Sequence, residues 1–185
     1  MYARQVGDRE LTFDFAEGLL NNNLLVVDRE TDTVWSQLHG KAVIGPLEGE
    51  PLTAVPSIQA TWKFWKTRYP ETRVMVLGDE AGRPYFYRNR PTGQSSPKNP
   101  TPRHDLSVLG FGLALDGESI WMPLTKLFAR DSPVSVTLSG REVLVHHDVD
   151  AMTAWAEDLD GNLLMGVLAY EEGWRSFHPE SGGLR

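Results

Sequence analysis

The chain has 185 residues, 41% of them hydrophobic, and a formal net charge of −7. That is enough apolar material for one core, and the wrong sign for generic phosphate-backbone or polybasic membrane contact. There is no cysteine, which excludes disulfides, thiolate nucleophiles, Cys-ligated zinc and iron–sulfur clusters. No apolar run approaches the ~20 residues that cross a bilayer, and Met1 to Asp8 has no apolar leader-like stretch. The chain as given therefore reads as cytoplasmic, or as exported if a leader has been removed.

Leu11, Phe13 and Phe15 alternate with polar residues and predict a half-buried strand. Leu19, Leu20 and the run Asn21 to Asn23 read as a loop, since Asn tolerates left-handed backbone. Leu24 to Val27 predicts a strand, Asp28 to Asp32 a polar turn, and Thr33 to Leu38 the returning strand of a hairpin. Lys41 to Ile44 follows, closed by Gly45-Pro46, then a short strand over Leu52 to Val55. Thr61 to Tyr69 predicts a helix, capped by Ser57 or Thr61 and stopped at Pro70, with Trp62, Trp65 and Tyr69 on one face. Val74 to Leu77 has a buried-strand pattern, and the Pro, Gly and Ser of 78–105 read as a connecting loop. Ser107 to Leu115 and Ser119 to Met122 flank the hairpin turn Asp116-Gly117. Pro123 opens a short helix through Ala129. Strands follow at Val134 to Leu138, Glu142 to His147 and Thr153 to Ala156, then an apolar stretch from Leu163 to Leu168. An aromatic segment, Tyr170 to Phe177, reads as a second short helix, and the tail Ser181 to Arg185 is expected to fray.

Two parts of the chain look like copies. Asp28, Thr33 and Trp35 stand at the same offsets as Asp148, Thr153 and Trp155. Trp65-Lys66-Thr67-Arg68-Tyr69-Pro70-Glu71-Thr72 matches Trp174-Arg175-Ser176-Phe177-His178-Pro179-Glu180-Ser181 in spacing and in its closing Pro-Glu-hydroxyl triplet. A repeated unit buries its apolar face against its twin. The expected fold is therefore α+β and β-rich. It would be one compact domain over 1–185, made of two related halves of antiparallel strands, about 1–77 and 106–181. The 78–105 loop would join the halves, and short helices would pack on the sheets.

Asp28-Arg29-Glu30-Thr31, Trp35-Ser36-Gln37-Leu38, Gly40-Lys41-Ala42, Gly45-Pro46-Leu47 and Gly49 are followed by Pro56, Thr61-Trp62, Trp65 and Tyr69-Pro70. In order and spacing this resembles the DUF3179 family, a domain of unknown function, over roughly residues 9–77. Val108-Leu109-Gly110, Gly117-Glu118 and Met122-Pro123-Leu124 resemble the family's other recurrent segment more faintly. The resemblance implies no established activity. Many family members carry a paired-cysteine segment upstream and an exported leader. This chain shows neither, so no thiol chemistry carries over.

Five residues are singled out as ligand-binding candidates. Asp28 suits a turn that accepts backbone N–H bonds, and Arg29 could hold a carboxylate bidentately. Trp35 and Gln37 would share one strand face while Ser36 points to the other, so that Gln37 could read a polar ligand beside an indole. Asp148 stands at the place equivalent to Asp28. Trp35, Trp62, Trp65, Trp155 and Trp174 are expected mainly in the core. His146 is the weak metal candidate, since His147 would face the opposite way and a tight site needs three or four converging ligands. His39, His104 and His178 show no ligand spacing. The leading functional expectation is a non-enzymatic binding or interaction domain for a small molecule or protein, with no cofactor, no nucleic acid and no membrane insertion. Hairpin 28–37 and loops 45–49 would form its contact surface. The alternative is a hydrolase or metal-assisted enzyme whose acidic and His residues, Asp28 with Asp148 for instance, converge where the halves meet.

Overall fold

The computed structural model describes residues 1–74 and 108–184. The strand expected over Val74 to Leu77, beyond an exposed Val74, and the 78–105 loop lie outside the described residues. The chain divides into two compact units, one of Met1–Ala60 with Leu106–Arg185 and the other of Thr61–Asp105.

In the larger unit a small ribbon of β1 (Gln5–Val6) and β2 (Arg9–Glu10) precedes a four-stranded antiparallel meander. The meander runs β3 (Phe13–Leu20), β4 (Asn23–Asp28), β5 (Val34–Ser36) and β6 (Lys41–Ile44). β3 is longer than its pattern predicts. A register shift between Phe15 and Leu19 lets it continue through Gly18, at φ +94°, to Leu20. The turn then shrinks to Asn21 and Asn22, both at positive φ, which is the backbone that a two-residue hairpin requires. Leu11 is fully buried but Phe15 is exposed, so the expected single buried face breaks at the bulge. Leu52 to Val55 forms one isolated bridge, Ala54 with Tyr2, and Pro51 just before it bridges Lys41. Leu11, Trp35, Ala42 and Leu52 make a small core, with the Phe13 ring set edge-on against Trp35.

The later part of this unit opens on β7 (Leu109–Leu115), β8 (Glu118–Pro123) and the short helix α2 (Leu124–Phe128). A second antiparallel meander follows, β9 (Val134–Leu138), β10 (Arg141–Asp148), β11 (Thr153–Glu157) and β12 (Leu163–Leu164). β13 (Gly166–Tyr170), helix α3 (Glu171–Phe177) and β14 (Gly182–Gly183) complete it, in a sheet of order β13-β7-β8-β14. The main core lies between these two sheets and α2, built on Phe111, Leu113, Met122, Leu127, Val143 and Val145. Among the described residues every strand pairing is antiparallel except that of β14 with β8. That pairing corrects the fraying expected of the tail. Ser181 and Leu184 are buried, Lys126 donates to the Leu184 carbonyl at 3.2 Å, and Arg175 to the Ser181 carbonyl at 3.1 Å. Backbone pairing and burial outweigh the entropy of a glycine-rich end.

The glycines of β7 serve close packing. A methyl group on Gly110 would overlap the Trp121 indole, and one on Gly112 would overlap that of Trp174.

The smaller unit contains α1 (Trp62–Arg68), capped by the Thr61 hydroxyl, which accepts from the Phe64 N–H. The Trp65 and Tyr69 rings lie 4.5 Å apart, tilted by 44°, and no residue of α1 is buried. Trp62 is half exposed, against the expectation of a core indole. Among the described residues no helix is long and apolar enough to cross a membrane.

Candidate functional site

The 28–37 hairpin is held from within. Asp28 is fully buried and accepts from the Thr31 N–H (2.6 Å), the Thr31 hydroxyl (2.8 Å) and the Trp35 indole N–H (2.8 Å). Thr33 is equally buried, shares a 2.6 Å hydrogen bond with the Thr31 hydroxyl, and accepts from Leu47 N–H. Burial pushes the Asp28 carboxyl up. The bonds from Trp35 and Thr31, with backbone N–H groups, outweigh it, so Asp28 titrates below the usual carboxylate range. Arg29 lies outside, bidentate to Asp14 (Nη2 at 2.9 Å), and the Arg29 guanidinium holds the Asp14 carboxyl down. Glu30 accepts from the Thr12 N–H at 2.8 Å.

Trp35 and Gln37 do not share a strand face as the spacing predicts. β5 stops at Ser36, whose hydroxyl accepts from the His39 N–H (3.2 Å) and whose carbonyl accepts from Gly40 (2.8 Å). These bonds turn the chain, so Trp35 points into the core and Gln37 is exposed. Asp148 fixes the second hairpin by accepting from the Ala151 N–H at 2.7 Å. His146 stacks on Trp155 (5.2 Å, 7° between planes) with Nε2 3.3 Å from a Glu157 carboxylate oxygen. Among the described residues no three His, Asp or Glu gather as a metal site.

What the fold does bring together, inside the larger unit, is a cleft of about 590 Å3. One wall is first-half chain: Tyr2, the Asn21–Asn23 turn, Gln37 and Leu38. The other is β13 with the first turn of α3. The Tyr2 hydroxyl donates to the Gln37 carbonyl at 2.6 Å and fixes the floor. An adjoining recess of about 140 Å3 shares Tyr2 and Gln37 and adds His39, His178 and Gly112. His178 stacks on Trp174 at 4.1 Å, and His39 lies 5.3 Å from the Phe177 ring. Burial pushes both imidazoles down; for His39, the Lys41 charge and His178 add to the effect. Both are therefore neutral near pH 7, each with one donor and one acceptor nitrogen. Among the described side chains lining the main cleft Glu172 is the one Asp, Glu, Lys or Arg, and the Met1 ammonium, which donates to Met165 Sδ at 3.8 Å, lies there too.

Of the five sequence candidates, Gln37 lines this cleft; Asp28, Arg29, Trp35 and Asp148 are not among its lining residues. No local spacing links His39 and His178, which lie far apart in the chain. Their one shared sign is that each sits at a chain reversal, the Ser36 to Gly40 turn and the end of α3.

The family model of DUF3179, described as a protein of unknown function, matches residues 1–179. The chain belongs to the DUF3179 family. The match spans both halves, well beyond the 9–77 stretch that carries the strongest resemblance. Searches of curated proteins and of solved structures find no match.

Proposed function

We propose that this DUF3179 chain is a non-enzymatic binding domain whose ligand occupies the cleft beside β13. The observation that carries the reading is the lining. Two segments remote in sequence supply an apolar wall with converging uncharged groups, from Asn22, Asn23, Gln37 and Tyr2. The volume falls in the range typical of ligand sites, about 300–1,000 Å3. A nearly uncharged lining favours a neutral ligand held by hydrogen bonds over an ionic one. Among the first-named candidates Gln37 is the ligand contact in this reading, and Asp28, Trp35 and Asp148 support the scaffold.

We infer further that the two halves descend from one duplicated unit. Two parallels support this. The meanders β3-β4-β5-β6 and β9-β10-β11-β12 each place an Asp-fixed turn between their middle strands. In α1 and α3, the Trp65 and Trp174 indoles each donate to a hydroxyl seven residues on, Thr72 at 2.9 Å and Ser181 at 2.8 Å.

The test is a screen of uncharged fragments by NMR on the full chain. Binding is expected to shift Gln37, Asn22 and Gly173 together, and Gly173→Leu, which projects into the cleft, is expected to abolish those shifts. Fragment binding confined to residues away from the cleft would remove the proposal.

A further inference from the structure

β13 is the edge of its sheet. β7 lies on one side, and among the described residues no strand lies on the other. The open side faces the cleft, which Val167, Leu168 and Ala169 line in succession. The ladder fixes which backbone groups point there. The Glu171 N–H donates to the Val108 carbonyl at 2.8 Å, one step beyond the pair Tyr170–Leu109. In an antiparallel ladder hydrogen-bonded pairs alternate with non-bonded ones. Ala169 and Val167 therefore bond to Gly110 and Gly112, and the N–H and C=O of Leu168 and Gly166 point away from β7. The same alternation makes Gly110–Pro123 a non-bonded pair of the β7–β8 ladder, the one kind of place where a proline fits without losing a bond. No described residue hydrogen-bonds to the Leu168 backbone, although its side chain packs on the core.

Given the cleft reading above, on which this step rests, we propose that the ligand is an extended, uncharged polypeptide segment that adds to β13 as an antiparallel or parallel strand. A half-buried backbone donor and acceptor in a groove need a partner that offers both at strand spacing, and a polypeptide backbone does so. The five residues of β13 span about 14 Å at ~3.4 Å per residue, room for four or five residues of a partner strand. The Asn21–Asn23 turn and Gln37 stand across the groove as the wall that meets its side chains. The lining carries one charged group of each sign, the Glu172 side chain and the Met1 ammonium, with uncharged groups between them, which suits an uncharged segment.

The experiment uses the full chain and a library of acetylated, amidated hexapeptides without ionisable side chains, read by NMR and amide hydrogen exchange. Binding is expected to slow exchange of the Leu168 amide. Leu168→Pro removes that outward donor at a place where an edge strand tolerates proline, and is expected to weaken binding about tenfold or more. N-methylation of alternate amides in the selected peptide is expected to do the same without touching the fold. Peptides that bind while Leu168 exchange and N-methylation leave affinity unaltered would overturn strand addition. No peptide binding while uncharged fragments still shift Gln37 and Asn22 would overturn strand addition and keep the cleft; silence from both libraries would remove both.

Discussion

The Asp28 and Asp148 hairpins use one local device in two degrees of commitment. In each, an Asp side chain accepts the N–H three residues on, a residue at positive φ follows (Asp32, Met152), then a fully buried Thr (Thr33, Thr153) and a buried Trp. The difference lies in the second carboxylate oxygen. Asp28 uses it on the Trp35 indole, so turn and core are one network. The Trp155 indole instead donates to Glu157 at 2.9 Å, on its own strand. The Thr33 hydroxyl joins the turn to the Leu47 N–H, whereas Thr153 donates to the Gln59 carbonyl, pinning the distant 57–60 segment. Identical turn chemistry thus ties one hairpin to the core through the Trp35 indole and the other to the 57–60 segment through Thr153.

The sharpest way to break this comparison is to remove each Asp. Asp28→Ala leaves the Trp35 indole N–H and the Thr31 backbone N–H without their partner and should destabilise by roughly 3–5 kcal/mol in urea unfolding. Asp148→Ala loses one part-buried turn bond and should cost about 1 kcal/mol. Equal losses would mean that the Trp35 bond adds nothing. Gly112→Ala should cost about 1–3 kcal/mol by forcing the Trp174 ring aside, measured the same way.

Acid titration sharpens the contrast. Because the folded Asp28 pKa lies below its unfolded value, its contribution is present above pH ~4 and is lost as pH falls through the folded pKa. Asp28→Asn should flatten that acid limb of the stability curve. His39 and His178 act in a higher window. Burial lowers their folded pKa, so stability is full above pH ~6.5 and declines as pH falls from there through the folded values. The double change His39→Gln with His178→Gln should remove that slope. The smallest effect compares the two helix closures. Ser181→Ala, at a buried hydroxyl, should cost about 1–2 kcal/mol, and Thr72→Ala, at a part-buried one, about 0.5 kcal/mol.

Local chemistry was legible in the chain itself. Thr61 as cap, Pro70 just beyond the helix, strands at Lys41–Ile44 and Val134–Leu138 and the Asp turns all follow from side chains acting within a few residues of themselves. The differences have separate sources. The β3 bulge depends on its register against β4, the early end of β5 on the Ser36 bonds to His39 and Gly40, and the docked tail on contacts whose other half lies elsewhere in the fold. The cleft is the extreme case. Its walls come from residues more than a hundred positions apart, and no spacing rule connects Gln37 and His39 to Leu168 and His178. The sequence by itself determined the family, the β-rich class and the turns, because short-range hydrogen bonds and apolar alternation are written in neighbouring residues. Only the tertiary structure decided which edge stays open and which polar groups face it, because that depends on how whole sheets pack.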